Sequence, residues 1–243
     1  MLRALCLLAV LLPRLALAVC LSGGFSIWPP PAHPLPANGQ LVLEGSGDSQ
    51  EAVARVAERS PRPVAGEEVV ALRVIAVHRG AVGLTQAVLA PEHPLRPGKR
   101  YVLGFEPPTE GRARALPSEQ WVDDEQVPWA WTVIQPDVLP PQWRGVPRVV
   151  GFRHEQFGCG PVIEVDVSAI VDDEMLQCHV LAEVAPVGGG EPVRFRLTPR
   201  GRQVAIGHGM CGGAFRLEEG CATRCGWSRW TRRATKPGPR ADR

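Results

Sequence analysis

Short apolar runs separated by turn residues recur along the chain and predict β-strands. In the first half, the strand candidates are Gln40–Glu44, Val69–Val77, Leu84–Leu89, Tyr101–Phe105 and Trp129–Ile134. Within the second of these, apolar residues recur at every second position, which is the period of a half-buried strand. The segment Gln50–Glu58 has a helical composition, but its strand-rich surroundings favour a strand or a loop. The spacing of these runs is typical of an all-β sandwich.

The second half repeats the pattern after a proline-rich joint at Asp137–Trp143. Glycine clusters at Gly188–Gly190 and Gly207–Gly213 interrupt it. Its strand candidates are Val146–Phe152, Val162–Val167, Cys178–Val184, Val193–Leu197 and Ala214–Leu217. Two copies of one strand plan are the simplest interpretation of the whole chain.

The turn before Tyr101 carries the most specific structural pattern. Leu95-Arg96-Pro97-Gly98-Lys99-Arg100-Tyr101 leads into a strand, and Tyr101 is the single tyrosine of the chain. Together with His33–Gly39 and Val88–Pro91, it resembles the immunoglobulin-like or fibronectin-type modules of secreted proteins from GC-rich bacteria. In such sandwiches a tyrosine at this corner bonds its hydroxyl to the backbone upstream. The resemblance covers residues 29 to 106. It implies a structural corner of Leu95, Gly98 and Tyr101, and no active site.

The predicted organisation is therefore two tandem immunoglobulin-like β-sandwiches. We expect a signal peptide at residues 1–18, a first module at 19–136, a second module at 137–220 that is incomplete at its C-terminus, and a disordered basic tail at 221–243.

Composition agrees with many short strands. The chain has 243 residues, among them 26 glycines and 25 prolines, which disfavours long helices. The formal net charge of +2 argues neither for nucleic-acid binding nor for disorder. No segment is long and apolar enough to predict a transmembrane helix.

The N-terminus has the pattern of an export signal. A basic Met1–Arg3 precedes the apolar run Ala4–Leu12, and Ala16-Leu17-Ala18 fits a cleavage site before Val19. An alternative is lipid attachment at Cys20, although Val19 stands where lipoprotein signals have a small residue. Both readings place the protein outside the cytoplasm: in the periplasm, at the outer membrane or in the medium.

Export makes disulfides the expected role of the cysteines. Cys6 leaves with the signal peptide, and Cys221-x-x-x-Cys225 is neither a redox nor a zinc pattern. The disulfide candidates are Cys20, Cys159, Cys178 and Cys211. The favoured pairing joins Cys211 to Cys159 or to Cys178.

The last 23 residues differ from the rest of the chain. From Cys221 to Arg243 there is no Val, Ile, Leu, Met or Phe, and there are seven basic residues and one acidic residue. A basic tail that binds anionic surfaces and a plain disordered end are two interpretations. A third is a frameshift near Gly220, because the shifted frame turns the triplets at Cys221, Cys225, Trp227 and Trp230 into Leu, Val or Met. In that frame the segment would supply a closing strand, which leaves the printed second module incomplete and less stable than the first.

Candidate catalytic chemistry is sparse. His208 and Cys211 share a glycine-rich loop but lack a recognisable second base, so we expect a structural loop. Arg153-His154-Glu155 before Cys159 lacks deaminase spacing. The acidic triplets Asp123–Glu125 and Asp172–Glu174 lack the ligand pattern of a calcium loop, so solvated turns are expected.

Four tryptophans near the joint offer either a carbohydrate-stacking face or core packing, and core packing is commoner. They are Trp121, Trp129, Trp131 and Trp143.

We therefore expect a non-enzymatic exported structural or interaction protein with no cofactor and no metal. The expected partner is a component of the cell envelope, a glycan or a protein, and not a nucleic acid. The alternatives are a carbohydrate- or ligand-binding surface protein and, on His208 and Cys211 alone, an enzyme.

Overall fold

The structure is a computed structural model. It describes residues 23–31, 33–106, 116–117, 119–122, 125–139, 141–158, 160–168, 171–172, 178–186, 189–218 and 223–230. In these residues strands predominate and there is one short α-helix, which confirms the predicted all-β class.

The first region, residues 25–134, contains two sheets. One has the order β1-β3-β7-β6 and the other β2-β11-β8-β4-β5. Strands β9 and β10 form a separate antiparallel pair. The strands are β1 (Phe25–Trp28), β2 (Leu35–Pro36), β3 (Leu41–Ser46), β4 (Arg62–Ala65), β5 (Glu68–Val69), β6 (Leu72–Arg79), β7 (Leu84–Pro91), β8 (Arg100–Gly104), β9 (Glu119–Val122), β10 (Glu125–Pro128) and β11 (Ala130–Ile134).

One hydrophobic core joins the two sheets of the first region, because alternate residues of each strand point to the same side. Leu43 and Leu89 come from the first sheet, and Leu103 and Trp131 come from the second. All four side chains are almost completely buried.

A short helix, α1 (Gln50–Ala54), closes one end of this core. It is continued by a 3₁₀ turn over Val56–Arg59. Val53 and Val56, three positions apart, are both fully buried. The strand-or-loop interpretation of Gln50–Glu58 is therefore wrong, because the apolar spacing within this segment is helical.

The second region, residues 142–230, contains two three-stranded sheets and one small strand pair. The sheet orders are β13-β14-β18 and β17-β16-β19, while β12 pairs with β15. The strands are β12 (Gln142–Trp143), β13 (Arg148–Phe157), β14 (Gly160–Ser168), β15 (Val171–Asp172), β16 (His179–Pro186), β17 (Val193–Leu197), β18 (Gln203–His208) and β19 (Thr223–Trp230).

The core of the second region is smaller. Phe195 and Phe215 meet edge to face with ring centroids 6.5 Å apart. The predicted strand Ala214–Leu217 is wrong, since no strand forms there. This segment instead enters the core as irregular chain, with Phe215 fully buried.

The printed C-terminal segment contributes a strand, against the expectation of disorder from residue 221. Thr223–Trp230 pairs antiparallel with β16 over eight residues. Its backbone can satisfy the edge of β16 whatever side chains it carries, because the ladder is made by main-chain groups. Residues 231–243 lie outside the described part of the chain.

The two regions pack against each other through β7. Thr85 to Ala90 are all buried, although a strand alternates its side chains between two faces. One face of β7 covers the first core, and the other lies against the second region. This packing places a set of polar side chains between the regions.

Candidate functional site

A row of polar residues crosses the outer face of the first sheet. Glu44 on β3 lies opposite Gln86 on β7, and Gln86 lies opposite His78 on β6. Cross-strand partners share a face, so the three side chains line one stripe. Because the second region covers this stripe, each group needs a hydrogen-bond partner or a neutral state.

Gln86 uses its amide to bind the backbone of the second region. Its Oε1 accepts a hydrogen bond from the backbone N–H of Arg196 (3.0 Å). Its Nε2 donates to the Arg196 carbonyl oxygen (2.9 Å) and to Glu44 Oε2 (3.1 Å). Since Arg196 lies on β17, at the edge of its sheet, the Gln86 amide occupies a place that a neighbouring strand would otherwise fill.

An ionisable group is buried on each side of this contact, Glu44 in the first region and Arg196 in the second. Arg196 Nη1 donates to Gln40 Oε1 (3.2 Å), and burial lowers the pKa of Arg196 to about 9. Burial also raises the pKa of Glu44, against the opposing effect of its hydrogen bond from Gln86. Burial, assisted by the charges of Arg196 and Arg194, lowers the pKa of His78 to about 4. His78 is therefore neutral at physiological pH, and its Nε2 is buried without a hydrogen-bond partner among the described residues.

Two further contacts hold the regions together. The ring of Trp28, on β1, lies 3.8 Å from the ring of His179, on β16. The turn between β6 and β7 pairs with the segment before Phe215, where the N–H groups of Val82 and Gly213 each donate to the other's carbonyl. A Cβ on Gly213 would lie 2.4 Å from His208, so this close approach requires glycine.

A cleft of about 300 Å³ remains between the regions. Its lining includes Glu44, Glu164, Arg196, Arg200 and His208. Such a mixture of charges suits water or a small polar group. Among the described residues no group of three or more His, Cys, Asp or Glu is placed to hold a metal ion.

His208 and Cys211 do not form a nucleophile–base pair. Cys211 is disulfide-bonded. The imidazole of His208 is buried between two backbone carbonyls, at 3.1 Å from Gly209 and 3.4 Å from Leu217. Both groups are therefore engaged in structural contacts.

Of the other three disulfide candidates, one is a thiol and two lie outside the described residues. Cys178 is a buried thiol, so its pairing with Cys211 is wrong. Cys20 and Cys159 lie outside the described residues.

Side-chain hydrogen bonds hold the corner at Tyr101 together. Its hydroxyl accepts a hydrogen bond from the backbone N–H of Arg96 (3.1 Å) and donates to Glu68 Oε1 (2.8 Å). Lys99 Nζ donates to the other Glu68 oxygen (2.7 Å). These bonds from Lys99 and Tyr101 lower the pKa of Glu68. Leu95 is buried beneath the turn, and Gly98 supplies its positive φ of 82°.

The tryptophans do not present a stacking face in the described structure. Trp129 and Trp131 lie in the first core, and Trp143 is partly buried against the second. Trp131 Nε1 donates to the Pro29 carbonyl (2.9 Å). The side chain of Trp121 is not described, nor are those of the acidic triplets at 123–125 and 172–174.

A second candidate surface is strand β13. It is the longest strand of the described chain, it lies at the edge of its sheet, and all its residues except Gly151 are exposed. Its exposed apolar residues include Val149 (69%), Phe152 (62%) and Phe157 (43%). Exposed apolar residues along a sheet edge mark a place where another chain can pair.

Sequence reasoning identified part of β13 as a strand but did not identify its exposure. It also missed the contact between Gln86 and Arg196. A signal for Gln86 was present, because it interrupts the apolar run Leu84–Ala90 with one long polar side chain.

Comparisons with protein-family models, with curated proteins and with solved structures give no match for this chain. In the described part of the chain, no helix has the length and apolar character needed to cross a membrane.

Proposed function

We propose that this chain is an exported, non-enzymatic interaction protein built from two immunoglobulin-like β-sandwich modules, with strand β13 as its binding edge. The modular interpretation is supported by two packed cores, each lying between two sheets. It is also supported by the corner at Tyr101, whose bond to Arg96 has the form known from immunoglobulin-type sandwiches.

The observation that carries the proposal is the contrast between β13 and other sheet edges of the described chain. Strands β5 and β2 are edges of two residues each. The edge strand β17 is covered by the Gln86 amide. Strand β13 is ten residues long, contains no proline and no lysine, and exposes apolar side chains. Short length, proline and lysine normally block edge pairing, and β13 has none of these three, although it does carry a bulge between Val149 and Gly151 and the charged residues Arg153 and Glu155.

Interaction is a better account of this geometry than catalysis or sugar stacking. Cys211 is in a disulfide, which removes the thiolate that a cysteine nucleophile requires. Trp129 and Trp131 are core residues, so neither can stack on a glycan. The enzyme alternative rested on His208 and Cys211. The glycan alternative rested on Trp129, Trp131, the partly buried Trp143 and Trp121, whose side chain is not described.

Export and disulfide formation belong to the same proposal. The β14–β18 ladder ends where Ile163 pairs with His208. A Cβ on Gly160 would lie 3.7 Å from the Met210 carbonyl oxygen, so the backbone at Gly160 lies close to that of Met210, the neighbour of Cys211. We infer Cys159, the neighbour of Gly160, as the partner of Cys211.

The frameshift proposal concerns strand β19. Positions 225, 227 and 229 lie opposite Val184, Ala182 and Val180, all of which are buried. Cross-strand neighbours share a face, so apolar residues suit these three positions. At 229 the printed frame has arginine, which does not suit such a position. At 225 and 227 both frames supply apolar residues, Cys and Trp in the printed frame and Leu, Val or Met in the shifted frame. Sequencing the codons around Gly220 in independent isolates tests this proposal, and an uninterrupted printed frame in all of them contradicts it.

Site-specific photo-crosslinking tests the interaction function. A photoreactive amino acid replaces Phe152 on β13 in the full chain, expressed in an exporting host. A matched control carries it at Val102, an exposed position on β8. We expect covalent adducts from position 152 and not from position 102. No adduct from position 152, or equal adducts from both, would contradict the proposal.

A further inference from the structure

We propose that β13 pairs antiparallel with β13 of a second copy of this chain, through residues Gly151–Phe157. The inference rests on the proposed function, because it names the partner of the same edge. Its support is the order of residues along the strand.

A bulge divides β13 into two parts. Its register against β14 shifts between Val149 and Gly151. From Gly151 to Phe157 the register is regular, so side chains alternate strictly between the two faces. Phe152 lies opposite Val165, which packs against the second core, while Arg153 lies opposite Glu164. Even positions of this part therefore share the core face, and odd positions share the outer face.

The regular part is self-complementary about His154. An antiparallel two-fold pairing centred there places Arg153 of each copy opposite Glu155 of the other, on the outer face. Opposite charges directly across a ladder stabilise the pair, and like charges weaken it. Moving the centre by one residue places Arg153 opposite Arg153, or Glu155 opposite Glu155. Charge therefore selects the pairing centred at His154.

The remaining positions also fit this alignment. Gly151 of each copy lies opposite Phe157 of the other, and an aromatic ring across from a strand glycine covers the exposed backbone. Phe152 lies opposite Gln156, whose aliphatic stem can cover its ring. Phe152 and Phe157 are both exposed in the single chain, so pairing removes apolar surface from water.

Pairing would join the sheets β13-β14-β18 of two copies into one six-stranded antiparallel sheet. Within each copy, Arg153 already bonds Glu164 across the β13–β14 ladder. Glu155 is exposed and lies opposite Val162. It thus carries a charge that the Arg153 of a second copy can meet.

Charge reversal tests the pairing. E155R and R153E each place like charges at both Arg153–Glu155 positions, so we expect each variant to lower the association constant of the dimer about tenfold. An equal mixture of the two variants restores opposite charges at both positions, so heterodimers should form with about the affinity of the unaltered chain. The matched control is E92R, which reverses an exposed glutamate in the first region. Sedimentation velocity over a concentration series measures the association, and thermal unfolding checks that each variant is folded.

A monomeric unaltered chain at the highest attainable concentration would overturn the inference. A mixture of E155R and R153E that associates no better than its components would also overturn it. The crosslinking experiment separates the two proposals. An adduct of position 152 with a second copy supports both, whereas an adduct with a different protein supports the interaction function and overturns the self-pairing.

Discussion

The two regions of this chain differ in the size of their hydrophobic cores and in how much of their sheets stays exposed to solvent. The first region packs a four-stranded against a five-stranded sheet, with Trp129, Trp131 and Tyr101 fully buried. The second packs two three-stranded sheets around Phe195 and Phe215, and its strand β13 is exposed along its length. Hydrophobic stabilisation scales with the apolar area removed from water, so the first region should be the more stable. The incomplete enclosure of the second region leaves the edge to which we assign binding.

The largest expected effect comes from emptying each core in turn. Trp131→Ala and Phe195→Ala should each lower the free energy of unfolding by about 3–5 kcal/mol. We expect Phe195→Ala to unfold the second region in a separate, earlier transition, since the first core does not depend on it. Trp131→Ala should make both regions unfold in one transition at a lower temperature, because the second region packs on the first sheet.

Differential scanning calorimetry measures the number and order of these transitions. Trp131→Phe and Phe195→Leu are matched controls that retain most of the buried volume and should cost less. Two transitions in Trp131→Ala and one in Phe195→Ala would reverse the comparison between the regions.

The disulfide at Cys211 provides a second contrast, because it lies in the region with the smaller core. Cys211→Ser should lower the free energy of unfolding by about 3–4 kcal/mol, since the closed loop restricts the unfolded chain. Cys178→Ala is the control, because Cys178 is a thiol and closes no loop. Denaturant titration measures both changes.

Peptide mapping without reduction identifies the linked cysteines. We expect one linked pair that contains Cys211 and Cys159. Alkylation of Cys211 in unfolded, unreduced protein would contradict the disulfide itself.

Removing the Gln86 amide should weaken the coupling between the unfolding of the two regions. Gln86→Leu deprives both backbone groups of Arg196 of their hydrogen bonds, and removes a bond to Glu44. Leaving such groups unsatisfied in a buried contact costs about 2–3 kcal/mol. The exposed Gln203 provides the control Gln203→Leu. A single cooperative transition at the unaltered midpoint in Gln86→Leu would show that this contact does not couple the regions.

At the same contact we expect His78 to give a pH dependence that is absent at neutral pH. Its pKa is about 4 in the folded chain against an ordinary value of 6.5. Between these values the unfolded chain binds a proton that the folded chain does not, so stability falls as pH decreases from 6.5 towards 4. His78→Asn should remove this part of the acid sensitivity and leave stability near neutral pH almost unchanged. Melting temperatures across that window measure it, and identical pH profiles for the variant and the unaltered chain would contradict it.

Local sequence signals predicted those features of the fold that depend on local chemistry. The alternation of apolar residues predicted most strands, because a strand shows its two faces at a period of two. The sequence pattern at Leu95–Tyr101 predicted the structure of this turn, because Gly98 and Tyr101 act within the turn itself. Gly98 adopts a positive φ, and the Tyr101 hydroxyl bonds the backbone of Arg96. At Gln50–Glu58 the local apolar spacing determines a helical segment, although the surrounding chain is strand-rich.

The candidate surfaces depend on contacts between distant residues, which sequence patterns do not report. Gln86 and Arg196 are 110 positions apart and meet only because the regions pack on one another. The exposure of β13 follows from its position at the sheet edge, and the apolar pattern of Val146–Phe152 predicted a strand without indicating its exposure. Thr223–Trp230 lacks aliphatic residues, yet it forms a strand because β16 offers its edge.

The most direct test of the assigned edge is backbone amide hydrogen exchange of the full chain at low and high protein concentration. We predict that the β13 segment exchanges faster than β7 in the dilute protein and becomes protected as the concentration rises. The β7 segment, buried on both faces, should stay slow at both concentrations. Exchange of β13 as slow as that of β7 in the dilute protein, or unchanged by concentration, would contradict the central claim that β13 is an open edge at which a second copy binds.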